Sequence, residues 1–113
     1  KYLAGGAVTF SSDQLLEMVH LLNGLFIPAH IDRAAFSISS QLGFLPPDNY
    51  DALEITTYPP SLQTGDIPLI SNSDAHYPVD IGKRFFYLDS NSRKPDDIFK
   101  AIKKGKTTPS IKK

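Results

Sequence analysis

Short apolar runs, each closed by Gly, Pro or Asn, alternate along the chain with amphipathic stretches. Ala7-Val8-Thr9-Phe10 reads as a short strand after a Gly5-Gly6 turn. Ser11 with Gln14 three residues later forms a capping-box signature. Leu15, Leu16, Val19 and Leu22 follow at helical spacing, and Asn23-Gly24 is a C-terminal stop, so a helix is predicted over 11–23. A strand over 24–30 comes next, then a short helix over 34–42 closed by Gly43, and a loop at 44–49. Further strands are predicted at 51–56, 67–72 and 85–88, with a loop at 77–84. Pro95 and the acidic pair Asp96-Asp97 open a second amphipathic helix that Gly105 stops, and the tail 106–113 is expected to be loose. Several of the strands lack polar–apolar alternation, which is the mark of strands covered on both faces. An α/β layered or barrel-like arrangement follows.

In such folds ligands bind where parallel strands end. Two strand exits carry chemistry. The run Ile67-Pro68-Leu69-Ile70 leads into Ser71-Asn72-Ser73-Asp74-Ala75-His76. Side chains two apart on extended chain point the same way, so Asp74 and His76 can converge on one ion. Gly24-Leu25-Phe26-Ile27-Pro28-Ala29-His30 repeats the pattern with one histidine. His30, Asp74 and His76 are therefore candidate metal ligands. A polar strand-end turn, or a satisfied rim histidine, is the plain alternative. Arg33 is a candidate clamp for a phosphate oxygen, or else a partner for Asp32. Glu54 is read as a support for a ligand histidine or as a buried partner of Lys83 or Arg84, and His20 as a surface residue.

Composition narrows the chemistry. The 113 residues suit one small domain, 41% hydrophobic and 21% charged. There is no cysteine, so disulfides and thiolate sites are excluded and any metal is held by N and O donors; Zn, Mn or Fe suit imidazole and carboxylate. Residues 93–113 hold eight basic and two acidic residues against four basic and ten acidic before them. The acidic body suits a cation site; the basic end is either a solvated helix face or a phosphate-binding patch. No run is long enough for a membrane span and no signal peptide is visible, so a cytoplasmic location is expected. P-loop, Rossmann and nucleophile-elbow signatures are absent. The start at Lys1 raises the expectation of a fragment or processed product.

Four phrases in order, GLFIPAHIDR, SISSQLGFLP, DALEIT and ISNSDAHYPVDIGK, resemble the C-terminal part of the PHP (polymerase and histidinol phosphatase) family over about residues 12–108. The resemblance implies the C-terminal part of a distorted TIM-like (β/α) barrel, with 1–113 as one partial PHP domain. It implies a metal-dependent phosphoesterase acting on a phosphorylated small molecule or nucleotide with metal-activated water. His30 matches the family's late single histidine, and Asp74 and His76 its final Asp-x-His. Arg33 is the looser candidate for substrate phosphate. The family's opening His-x-His has no counterpart in this sequence. A half barrel leaves sheet edges open, so the chain is expected to pair with an N-terminal PHP segment or a second copy of itself, and to be inactive alone. A non-catalytic metal-binding or assembly module, and an amidohydrolase-like metal hydrolase, are the rival readings.

Overall fold

A parallel strand pair lies at the centre of the chain in the computed structural model, which describes residues 11–33 and 48–111. β1 (Leu53–Glu54) pairs with β2 (Leu69–Ile70), Leu53 opposite Leu69 and Glu54 opposite Ile70. Bonds from Leu53 N–H to Pro68 O (2.8 Å) and Ile55 N–H to Ile70 O (2.9 Å) extend the ladder. A helix covers each face. α1 (Ser12–Leu21) brings Leu16 to a core of Ile31, Tyr50, Leu53 and Ile55. α2 (Pro95–Lys103) brings Ile102 and Ile98 to Ala52 and Ile70. Alternation along β1 therefore sends Leu53 and Ile55 to one core and Ala52 to the other. The expectation of strands buried on both faces holds in this mixed α/β arrangement.

Both helices begin and end as their sequences dictate. Ser11 Oγ accepts from Gln14 N–H and Gln14 Oε1 accepts from Ser11 N–H, a complete capping box. At the other end Gly24 N–H reaches Val19 O and Asn23 N–H reaches His20 O, with Asn23 at φ 61°. α2 closes the same way, Lys106 to Ala101 and Gly105 to Ile102, with Gly105 at φ 76°. Each is a Schellman closure, which satisfies carbonyls the helix leaves open.

Three expectations need correction. Residues 24–30 form no regular strand. The segment does run beside β1, with Asp51 N–H on Phe26 O and Glu54 N–H on Pro28 O (both 3.1 Å). Pro28 has no N–H to return, which interrupts the ladder. Beyond it Glu54 O accepts from Ile31 rather than His30 (3.0 Å), so an extra residue is bulged out at Ala29-His30. The end 106–113 is also not loose as far as residue 111. Thr107–Pro109 forms β4, antiparallel to β3 (Phe86–Leu88), with Tyr87 opposite Thr108. Thr107 Oγ1 donates to Leu69 O (2.8 Å) and fastens this second pair to β2. Within the 77–84 loop, Pro78–Asp80 makes a 3-10 turn. The two strand pairs do not close into a barrel among the described residues. The helix expected at 34–42 and the strand at 7–10 lie outside the described residues.

Candidate functional site

Three chain segments leave the parallel strands at the same edge, and hydrogen bonds between side chains and backbone stitch their exits together. The first exit is His30-Ile31-Asp32-Arg33. The second is Thr56-Thr57, beyond β1. The third is Ser71 to His76, beyond β2.

Asp32 joins the first two exits. Its carboxylate accepts from Thr56 N–H (2.9 and 3.0 Å), Thr56 Oγ1 (2.8 Å), Thr57 N–H (2.9 Å) and Thr57 Oγ1 (3.0 Å). Partial burial pushes the Asp32 carboxyl up, but these donors favour the ionised form and together hold it below its ordinary value. Arg33 joins the first exit to the third: Nη1 donates to Asp74 Oδ2 at 2.9 Å. Arg33 is therefore not turned toward Asp32. The pair spans 41 positions of sequence and is about one-third to two-fifths exposed on either side.

The third exit is held from behind. Ser71 is fully buried and donates to Phe85 O. Ser73 Oγ donates to Arg84 O (2.8 Å) and accepts from Gly82 N–H (2.8 Å). Arg84 reaches back to Asn72 O through Nε (3.0 Å). Lys83 pairs with Asp80 at 2.9 Å. Neither base is the partner of Glu54, contrary to that sequence-based option. Glu54 Oε1 instead accepts from the His30 backbone N–H at 2.8 Å.

The candidate ligands differ in their commitments. His30 stands at φ 31° and Asp74 at φ 51°, in the left-handed region that non-glycine residues seldom occupy. Such backbone outliers gather at functional sites. His30 Nδ1 is buried and has no hydrogen-bond partner among the described residues. His76 is exposed, and its Nδ1 lies 2.9 Å from Asp74 O. A carbonyl only accepts, so this contact puts a hydrogen on Nδ1, and in the neutral ring the lone pair is then on Nε2. The donors are thus of the kind a divalent ion takes: an uncommitted imidazole nitrogen, an oriented imidazole and a carboxylate. Among the described residues, however, no three His, Asp or Glu side chains are gathered closely enough to hold a metal. The donor chemistry fits an ion; the ligand count is incomplete.

A separate polar cluster sits at the opposite edge, where the strands begin. His20 Nε2 lies 2.8 Å from Asp51 Oδ2, and that oxygen also accepts from Phe26 N–H at 2.6 Å. They line a cleft of about 310 Å³ with Asn23, Tyr50 and Lys103. His20 is therefore half-buried and tethered, not a plain surface residue. Its helix-face position gave no sign of this, because the partner is 31 residues away.

Residues 62–107 match a family model described as PHP-associated, a span that contains Asp74, His76, β2, β3 and α2. That region of the chain is a PHP-associated C-terminal region. No curated protein and no solved structure matches the chain. Among the described residues no helix is long and apolar enough to cross a membrane.

Proposed function

With residues 62–107 a PHP-associated region, we propose that the chain is the C-terminal portion of a PHP-type metal-dependent phosphoesterase. The observation that carries this reading is the stitched rim: Arg33 ties the His30 exit to Asp74, His76 Nδ1 lies on Asp74 O, and the buried His30 Nδ1 has no partner among the described residues. In this proposal His30, Asp74 and His76 are metal ligands and Zn, Mn or Fe is the ion. The remaining ligands and the rest of a TIM-like barrel come from an N-terminal PHP segment or from a second copy of the chain. A phosphorylated small molecule or nucleotide is the substrate class.

When bound, a divalent ion supplies an acidified water and Lewis acidity toward a phosphoryl oxygen. The chain's own groups do the positioning. The hydrogen bond from His76 Nδ1 to Asp74 O fixes which imidazole nitrogen is open. A guanidinium is the side chain whose geometry suits phosphate oxygens, and Arg33 is already at the rim, with Nη1 on Asp74 Oδ2. Its hold on Asp74 Oδ2 leaves the second carboxylate oxygen for a cation. The cytoplasm is the proposed location.

One observation favours the assembly-module reading. Tyr77, Val79 and Ile81, just beyond His76, are 70, 76 and 74% exposed, a run of large apolar side chains in water of the kind that marks an interaction surface. Metal analysis and phosphatase assay separate the two. The purified chain is expected to retain Zn, Mn or Fe weakly, and His76→Ala to lower the bound amount by about tenfold or more. Hydrolysis of a simple aryl phosphate is expected to be negligible for the chain alone and to appear when an N-terminal PHP segment is added. No metal in the wild type would favour the module; strong metal-dependent turnover by the chain alone would overturn the half-site proposal.

A further inference from the structure

We infer that Glu54 is a positioning residue whose buried carboxylate holds the His30 bulge and so keeps the His30 ring nitrogen available as a donor. Glu54 contacts the 28–31 segment three times. Its N–H donates to Pro28 O (3.1 Å), its O accepts from Ile31 N–H (3.0 Å), and its Oε1 accepts from His30 N–H (2.8 Å). In an unbroken parallel ladder the carbonyl of Glu54 would take the N–H of residue 30. Here Ile31 has taken that place, and the His30 N–H is left without a backbone acceptor. The Glu54 carboxylate supplies one.

The side chain is also placed to do this under constraint. Glu54 is 9% exposed, and its neighbours Ala52, Leu53 and Ile55 are fully buried, so the carboxylate has little freedom to swing away. A charged acceptor makes a stronger bond to an N–H than a neutral one. His30 gains no steric advantage from φ 31°, so its conformation persists because its surroundings determine it. The consequence is local and chemical. The backbone N–H is satisfied by Glu54, while the buried Nδ1 has no hydrogen-bond partner among the described residues. A carboxylate bonded to the ring would have committed that nitrogen; one bonded to the backbone leaves it open. The role of His30 as a ligand rests on the phosphoesterase reading above, whereas its tethering by Glu54 stands without it.

Two variants test the tether. Glu54→Gln keeps an accepting oxygen at the same reach. Glu54→Leu removes the acceptor with little change of bulk. Amide hydrogen exchange is measured at His30 and, as an internal reference, at Leu53, whose N–H is held by Pro68 O. In Glu54→Leu, His30 exchange should quicken at least about tenfold relative to Leu53, and in Glu54→Gln it should stay near wild type. Mn²⁺ affinity should fall about 10- to 100-fold in Glu54→Leu and recover largely in Glu54→Gln. If Glu54→Leu does not fold, Glu54→Asp, one methylene shorter, should show the same His30 effect in weaker form. His30 exchange that moves only in step with Leu53 would overturn the inference. If the wild type binds no Mn²⁺, the metal reading of His30 fails, and the exchange ratio still decides whether Glu54 tethers it.

Discussion

Leu53→Ala is expected to destabilise the chain by about 3 kcal/mol, the middle of the range for a buried leucine cut to alanine. Leu53 is fully buried, opens β1 and belongs to the core that also holds Leu16, Ile31, Tyr50 and Ile55. Its loss leaves a void between α1, which Asp51 ties through His20, and the 24–31 segment, which Asp51 ties through Phe26 N–H and Glu54 through His30 N–H. A domain of this size has roughly 5–15 kcal/mol of net stability, so the change removes a large share. Thermal unfolding followed by circular dichroism should show a midpoint lower by about 10 °C or more. A shift of only a degree or two would mean that the α1 face of the parallel pair is not a packed core.

Asp32→Ala is expected to cost about 2 kcal/mol, because four donors from Thr56 and Thr57 lose one shared acceptor. The pH dependence gives a sharper signature. The folded Asp32 carboxyl lies below its ordinary 3.8. The stability it contributes is therefore fully present above that value and is lost as pH falls through the lower folded value. Urea unfolding from pH 7 down to pH 2 should show wild type losing stability below about pH 4 more steeply than Asp32→Ala, so that the two converge in acid. Parallel curves would mean that the carboxylate is not what joins the two exits. The variant should also loosen the rim, because Arg33 and His30 flank the residue that anchors their turn.

How much of this was readable from the residues depends on how local each cause is. α1 was legible because Ser11, Gln14 and Asn23-Gly24 act within one turn of the helix they bound. β1 and β2 were legible as strands, but the expected 51–56 and 67–72 shrink to Leu53–Glu54 and Leu69–Ile70. β4 was missed because Thr107-Thr108-Pro109 is short and ends in a proline that argues against a strand; β3 and the carbonyl of Leu69 provide its partners. The break in the 24–30 segment was half visible in Pro28, but the bulge at His30 depends on Glu54, which lies 24 residues on. The expected site residues show the same division. Asp74 and His76 stand out as candidates by their spacing, and Arg33 by its company. That Arg33 would meet Asp74 rather than Asp32, and that His30 and Asp74 would both stand at positive φ, are products of tertiary contact. Asp51 and its bond to His20 had no sequence signal at all.

The chain contains three histidines, and they make a natural experiment. His30 ends the 24–30 segment and His76 follows β2, on either side of β1 and at one edge, while His20 sits with Asp51 at the other. Paramagnetic Mn²⁺ broadens ring signals within its reach, so titrating it while observing the three imidazoles by NMR reads the site directly. His30 and His76 should broaden together at the same Mn²⁺ concentration, with His20 remaining sharp. Broadening of His76 without His30, or of all three alike, would contradict a shared cation site at the rim.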